Sequence, residues 1–221
     1  MVRAETIVYQ PALVADLRKL VSRGEGQQLE FKRKASYPDK IVREMIALAN
    51  TDGGTLLIGV DDDGTIPGVK YPEEESVVIH QELTKHCRPP IGFTETWIAL
   101  SDKRFVLVWE IPASPRRPHF YSVNQTRECY VRLADQSLKA SREMAEILRR
   151  RKSAKGTQFT YGPAEEKLMR ALEVNPTISL KDFSKLTGLN RFLSSRKLIK
   201  LVLANVLDIR PTEKGDLFSR K

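Results

Sequence analysis

Three carboxylates and a lysine in the first third of the chain are candidates for a catalytic or metal-binding site. Glu30 and Lys32 alternate with apolar residues, so both side chains are expected on one face of a short strand. Glu25 precedes Glu30 on a turn flanked by glycines, and Asp61 follows an apolar run typical of an interior strand. Carboxylates that converge from separate elements can bind Mg²⁺ or Mn²⁺, and a nearby lysine can stabilise charge developing on a phosphate.

The same residues also permit a structural interpretation. Glu and Asp near turns are usually solvated, and Glu30 with Lys32 would then form a surface ion pair worth at most about 1 kcal/mol. Asp61 could simply serve the tight turn at residues 61–64. Both interpretations stay open, so no cofactor is certain, and Mg²⁺ or Mn²⁺ is expected only if the carboxylates form an active site.

Positive charge is concentrated at the end of the chain. The net charge is +9, and residues 151–221 hold 15 Lys+Arg against 7 Asp+Glu, while residues 1–150 hold 22 against 21. This distribution predicts a polyanion partner for the last third, with duplex DNA favoured and structured RNA second. A merely solvated basic surface is the alternative. The residues expected to contact nucleic acid are Asn190, Arg191, Ser194, Ser195, Lys197, Lys200 and Lys214, with Arg116, Arg117 and Arg132 earlier in the chain.

Arg116, Arg117 and Arg132 can also be interpreted as residues with a structural role only. Arg116 and Arg117 lie in a proline-rich basic loop, where solvated charge is as reasonable an interpretation as phosphate binding. Arg132 alternates with Val131 on an expected strand, where cross-strand packing is the default.

Apolar periodicity predicts the helices and strands that carry these residues. Helical spacing indicates helices over 11–23, 41–50, 73–87 and 141–151. Alternating or continuous apolar runs indicate strands over 28–32, 55–60, 93–100, 105–111 and 128–133.

Residues 164–221 show three helical patterns followed by a short hairpin. The second helix opens at Ser179 with capping-box spacing and closes at Gly188, and Asn190 can cap the third. The predicted core face of the third helix is Phe192, Ile199, Val202 and Val206.

That order of elements resembles the winged helix family. The resemblance implies that the third helix enters a major groove and that the wing contacts the backbone or the minor groove. Arginines and lysines there would contact phosphates, while Asn190, Ser194 or Ser195 would reach base edges. A winged helix used for protein contact or dimerisation is the alternative.

Four sequence pieces in the first 150 residues resemble the Schlafen AlbA-2 family over roughly residues 24–150. They are LEFK at Leu29–Lys32, ALANTDGG at Ala47–Gly54, LIGVDDDG at Leu57–Gly64 and YVR at Tyr130–Arg132. Nuclease members of that family use a three-carboxylate site, and Glu25, Glu30 and Asp61 match its pattern. The resemblance therefore implies a divalent-metal-dependent ribonuclease centre, whereas bacterial members with a C-terminal winged helix are often labelled transcriptional regulators.

The chain departs from the animal Schlafen nucleases in two respects. It has one AlbA-2 unit and no Cys/His zinc cluster, so a homodimer is expected to supply a second unit and complete a comparable groove. No GxxxxGK[ST] motif is present, so the sequence gives no support for an ATPase.

The cysteine content and the hydropathy of the chain indicate the cellular location to expect. Cys87 and Cys129 are too few for a disulfide framework, and no CxxC motif indicates a zinc site. No apolar run approaches the length of a membrane span, and the first residues lack the apolar region of a signal peptide. A cytoplasmic protein without membrane contact is expected.

Together these patterns predict an α+β fold with two domains. A mixed-sheet AlbA-2 (Schlafen-type) domain is expected over residues 1–151, a linker over 152–163 and a winged helix-turn-helix domain over 164–221. The predicted function is a DNA-binding transcriptional regulator. The alternatives are a metal-dependent endoribonuclease that uses Glu25, Glu30 and Asp61, and an interaction protein whose AlbA-2 unit only mediates assembly.

Overall fold

The chain folds into two compact units, the first ending at Ser137 and the second beginning at Leu138. The computed structural model describes residues 7–8, 11–151 and 157–221. Both helices and mixed strand pairings are present, so the predicted α+β class with a mixed sheet is confirmed.

The first unit is built from three helices and eight strands among the residues described. The helices are α1 (Pro11–Val21), α2 (Pro38–Asn50) and α3 (Pro72–His86). The strands are β1 (Ile7–Val8), β2 (Leu29–Lys32), β3 (Gly54–Ile58), β4 (Cys87–Arg88), β5 (Thr94–Ser101), β6 (Arg104–Ile111), β7 (Phe120–Val123) and β8 (Thr126–Leu133). A further strand, β9 (Gln136–Lys139), crosses the division between the units.

A five-stranded sheet of order β1-β5-β6-β3-β2 is the framework of this unit. Strands β2 and β3 are parallel and are joined through α2, while β3, β6 and β5 pair antiparallel. A second sheet has the order β4-β7-β8-β9. The predicted strands over 28–32, 55–60, 93–100, 105–111 and 128–133 are confirmed in substance, whereas β7 and β9, of four residues each, were not predicted.

Successive residues of the five-stranded sheet point to opposite faces and enter two separate apolar clusters. On one face, Leu56 and Trp109 pack with residues of α2 and α3. On the other face, Leu57 and Val106 pack with residues of α1. Helices therefore cover both faces of the sheet, which explains why Leu56, Leu57 and Ile58 of β3 are apolar in succession.

The turn after α2 brings three backbone segments into close contact. Gly53 has φ +73°, and a Cβ there would lie 2.6 Å from the backbone nitrogen of Ala113. A Cβ on Gly54 would lie 2.6 Å from the carbonyl oxygen of Gln28. The double glycine of the ALANTDGG piece is thus required by the approach of neighbouring chain segments.

The second unit contains four helices and a small antiparallel sheet within the described residues. Its elements are α4 (Arg142–Arg150), α5 (Pro163–Val174), β10 (Ile178–Ser179), α6 (Leu180–Thr187), α7 (Arg191–Leu203), β11 (Leu207–Arg210) and β12 (Leu217–Arg220). The sheet order is β10-β12-β11. The predicted caps are confirmed, because Ser179 and Asn190 accept backbone N–H bonds at the starts of α6 and α7, and Gly188 ends α6 with φ +69°.

The division between the units lies earlier than the boundary predicted at residue 151. Ile147 of α4 is fully buried in the core of the second unit, so α4 belongs there and not to the first unit. Residues 152–156 of the predicted linker lie outside the described residues, and α5 already begins at Pro163.

The core face predicted for α7 is confirmed at Ile199 and Val202 and is wrong at Phe192. Phe192 is 66% exposed, whereas Ser194 is fully buried. The buried stripe is formed by Ser194, Leu198, Ile199, Leu201 and Val202, which follow helical spacing. No helix in the described parts of the chain has the length and apolar character needed to cross a membrane.

Candidate functional site

The guanidinium of Arg132, on β8, is the centre of a buried polar network in the first unit. Its side chain is 0% exposed. Nε and Nη2 donate to the carbonyl oxygen of Gly26 at 3.1 and 3.0 Å. Nη2 also donates to Glu30 Oε2 at 2.6 Å, and Nη1 donates to Glu44 Oε2 at 2.9 Å. The predicted phosphate contact by Arg132 would therefore require this network to open, and the structure gives the residue a structural role.

Both carboxylate oxygens of Glu30 are held by cations. Glu30 is only 4% exposed, so its charge has lost most of its hydration. Arg132 binds Oε2, and the ammonium of Lys32 binds Oε1. Lys32 Nζ also donates to the carbonyl oxygen of Phe31 at 2.8 Å. The alternation that predicted one shared face for Glu30 and Lys32 is confirmed, but the pair is largely buried and not on the surface.

The other two predicted carboxylates have separate partners. The backbone N–H of Phe31 donates to Glu25 Oε1 at 2.8 Å. Burial raises the pKa of Glu25, and the charge of Glu30 raises that pKa further, against the lowering effect of the Phe31 hydrogen bond. Asp61 is paired with Arg33 at 3.3 Å and accepts the backbone N–H of Asp62 at 3.2 Å.

These carboxylates do not fit a divalent ion in the arrangement observed. No group of three or more His, Cys, Asp or Glu side chains in the described ranges is positioned to hold a metal. Mg²⁺ and Mn²⁺ need several free oxygen ligands, and both oxygens of Glu30 are already bound by cations. The metal-dependent ribonuclease centre on Glu25, Glu30, Lys32 and Asp61 therefore stays a prediction that requires Glu30 to leave Arg132.

Glu44 joins the network although it was not among the predicted site residues. It lies on α2 between Ile41 and Leu48, which are both fully buried, so a charged residue interrupts an apolar helical stripe. That interruption was the available sequence signal. Ser137 donates to the Glu44 carboxylate, and burial, followed by the charge of Glu30, raises the pKa of Glu44.

Replacing Glu44 with glutamine is expected to change the free energy of unfolding at pH 7 by less than about 1 kcal/mol. The glutamine oxygen can still accept from Arg132 and Ser137. Because the folded state raises the pKa of Glu44, the stability that Glu44 contributes is complete at low pH and is lost as the pH rises through that pKa. Urea titrations between pH 4 and 8 should therefore show a flatter pH dependence for Glu44→Gln. A loss of about 3 kcal/mol or more would contradict this assignment.

Asn50 and Thr51, in the ALANTDGG piece, connect α2 to its neighbours. The fully buried Asn50 amide nitrogen donates to the carbonyl oxygens of His119 and Tyr130 at 3.0 and 2.9 Å. Asn50 Oδ1 accepts the backbone N–H of His119 at 2.7 Å. Thr51 Oγ1 accepts the backbone N–H of Arg132 at 2.9 Å. The motif thus serves as a structural junction.

The two loop arginines differ in their surroundings. Arg117 Nη1 donates to the carbonyl oxygen of Thr51 at 2.9 Å, so it contacts the end of α2. Arg116 is exposed. Of this pair, Arg116 has the freer side chain for a phosphate.

The predicted contact residues of α7 fall into two groups. Arg191 is exposed and Lys200 is partly exposed. Three others are engaged within the protein, because Ser194 is buried, Ser195 donates to Glu143 Oε1 at 2.7 Å, and Lys197 pairs with Glu165 at 2.5 Å.

Two further predicted contacts lie at turns. Asn190 Oδ1 accepts the backbone N–H of Leu193 at 2.9 Å, so its oxygen serves the helix cap. Lys214 is exposed in the turn between β11 and β12. Lys214 therefore remains accessible to a ligand, whereas Asn190 has only its amide nitrogen to offer.

A cleft of about 820 Å³ lies along the contact between α4 and α7, and we name it the α4–α7 cleft. Its lining residues are Arg142, Glu143, Glu146 and Arg150 from α4, with Arg191, Phe192, Ser195, Arg196, Ile199 and Lys200 from α7. Sequence reasoning missed Arg142, Arg150, Phe192 and Arg196 as candidate contacts. It assigned α4 to the other domain and Phe192 to the core, and so it could not bring these side chains together.

A comparison with protein families identifies the family of the first unit. The family model described as Schlafen, AlbA_2 matches residues 25–141. No match is found among curated proteins. A crystal structure of the DIP2311 protein from Corynebacterium diphtheriae aligns with a TM-score of 0.44 and 16% identity, over 95% of this chain and 38% of that one. This chain thus spans well under half the length of that protein. Because the family match extends over more than half of the sequence, the chain belongs to the Schlafen AlbA_2 family.

Proposed function

We propose that this protein binds duplex DNA through a winged helix-turn-helix in its second unit and acts as a transcriptional regulator. Family membership supports a nucleic-acid-related function. The element order α5, β10, α6, α7, β11, β12, with a three-stranded antiparallel sheet, supports the winged helix assignment. Helix α7 then takes the position of the recognition helix, and the turn that carries Lys214 is the wing.

The observation that carries this proposal is the unneutralised cationic surface along α7. Arg191, Arg196 and Lys200 line the cleft. Within the described ranges, no carboxylate forms an ion pair with any of the three. Cations without local counter-charges attract polyanions, and phosphate contacts supply most of the affinity for nucleic acid.

Replacing both Arg191 and Lys200 with alanine is expected to weaken duplex binding by about tenfold near 0.15 M salt. The slope of log affinity against log salt should fall by about 1.8, because each lost phosphate contact contributes about 0.9. Fluorescence anisotropy with the full chain and labelled duplexes measures both quantities. Light scattering of the same complexes gives the stoichiometry and tests the expected homodimer.

Arg170→Ala is the matched control for these variants. Arg170 lies on α5 in the same unit, is paired with Glu166 at 2.6 Å and has a side chain that is 76% exposed. Its removal takes away one positive charge outside the cleft, where Arg191→Ala/Lys200→Ala removes two, and duplex affinity should change less than twofold. A loss of about threefold for Arg170→Ala, half the loss of the double variant on a logarithmic scale, would mean that only total charge matters, and would reject α7 as the contact surface.

A further inference from the structure

We infer that the α4–α7 cleft receives the sugar–phosphate ridge of one DNA strand while α7 lies in the adjoining major groove. This inference rests on the proposed function and adds α4 to the DNA-binding surface. The residues that it assigns are Arg142 and Arg150 from α4, and Arg196 and Phe192 from α7.

The charge balance of the cleft favours a phosphodiester ligand. Five cations line it, and its two acids already have partners: Glu143 accepts from Ser195 at 2.7 Å, and Glu146 pairs with Arg149 at 2.5 Å. Neither Arg142 nor Arg150 forms an ion pair in the part of the chain that the structure describes. The cleft therefore presents a net positive lining, which suits one phosphate-bearing strand.

The dimensions of DNA place the strand in this cleft. The major groove of B-DNA is about 12 Å wide, and a helix with its side chains has a diameter of about 10–12 Å, so the groove admits one helix. If α7 occupies the groove, α4 beside it must remain outside, over the backbone that borders the groove. The open groove along the contact between the two helices is then the space that the backbone ridge fills.

Helix α4 is held in place by contacts at both its start and its middle. Ser141, its N-cap, donates to Asp216 in the turn before β12, and Ile147 is fully buried in the unit's core. Its arginines are thus presented from a fixed helix, which lowers the entropy lost when they bind.

Phe192 gives the cleft an apolar contact beside its cations. Its side chain is 66% exposed, and the guanidinium of Arg196 lies 5.6 Å from the ring centroid. An exposed aromatic ring at the first turn of a groove-bound helix can contact a thymine methyl group or a deoxyribose. A-form RNA has a deep, narrow major groove that does not admit a helix, so the geometry favours B-form DNA.

The test uses the full chain carrying Arg142→Ala and Arg150→Ala, with Arg170→Ala as control, against duplexes of several sequences and an RNA hairpin. We expect about tenfold weaker duplex binding at 0.15 M salt, similar for every sequence, and a salt slope smaller by about 1.8. Both arginines are exposed, and a circular dichroism melt confirms that the variant is folded.

The possible results separate this inference from the proposed function. If Arg191→Ala/Lys200→Ala weakens duplex binding while Arg142→Ala/Arg150→Ala does not, the cleft inference is overturned and the proposed function stands. If the unmodified chain does not bind duplex DNA, both are overturned. If the arginine variant loses RNA hairpin binding but keeps duplex binding, the cleft serves RNA and the assignment to DNA is overturned.

Discussion

Replacing Arg132 with alanine is expected to lower the free energy of unfolding of the first unit by about 3–5 kcal/mol. The guanidinium is fully buried, with Glu30 and Glu44 as ion-pair partners and the carbonyl oxygen of Gly26 as a further acceptor. Its loss leaves two carboxylates in a site with little solvent and removes the donors that join β8 to the turn before β2. Removing one member of a buried network costs more than the network contributes as a whole, because the remaining charge cannot recover its hydration.

Tryptophan fluorescence during urea unfolding measures this effect in the right unit. Trp97 and Trp109 are the two tryptophans of the chain, and both lie in the first unit. Arg132→Lys keeps the charge but lacks the planar fork that reaches Gly26 and both glutamates, so it should recover only part of the loss. A loss below about 1 kcal/mol for Arg132→Ala would show that the network is not a stabilising element.

The second large effect is expected at Asn50. Asn50→Ala should destabilise the first unit by about 3 kcal/mol or more, because three buried backbone groups of His119 and Tyr130 lose a hydrogen-bond partner at once. The alanine also leaves space at a fully buried position.

Asp52→Ala is the matched control for Asn50→Ala, because it changes an exposed residue of the same turn. Asp52 accepts from Gln27 at 3.2 Å through its carboxylate, a solvent-accessible contact worth at most about 1 kcal/mol. Thermal melts monitored by tryptophan fluorescence compare the two variants directly. Similar melting temperatures for Asn50→Ala and Asp52→Ala would disprove the junction role of the Asn50 amide.

These stability effects determine how a nuclease experiment must be designed. Glu30→Ala would remove a ligand of the predicted metal site and a partner of Arg132 in the same step. Loss of cleavage in that variant would therefore indicate catalysis only if unfolding measurements show an intact first unit. Asp61 is partly exposed and pairs with the exposed Arg33, so Asp61→Asn separates a catalytic role from a structural one.

Local patterns in the sequence were sufficient to predict most of the helices and strands. Alternation in Leu29–Lys32 and helical spacing over 11–23 predicted β2 and α1, because a side chain's direction along a strand or helix follows from the backbone repeat. Ser179, Gly188 and Asn190 marked the ends of α6 and the start of α7, since capping depends on a few consecutive residues. The four Schlafen AlbA-2 pieces predicted the family over the segment that the family model matches.

The composition of the site depended on contacts between residues that are far apart in the chain. Glu30 and Arg132 are 102 positions apart, and Glu44 and Arg132 are 88 apart, so no local pattern pairs them. Only the folded sheet shows that Arg132 is buried and that its donors bind Glu30, Glu44 and Gly26. The sequence left Glu30 as either a surface residue or a metal ligand, because burial of a charge depends on what packs over it.

In residues 151–221, too, local patterns did not determine which face of a helix is buried. Composition alone determined that the last third is cationic, since charge counts need no coordinates. The tertiary structure shows which side chains of α7 are accessible: Ser194 is buried, Phe192 is exposed, and α4 packs against α7. A helical pattern with apolar residues on more than one stripe allows several rotations, and the packing partner selects among them.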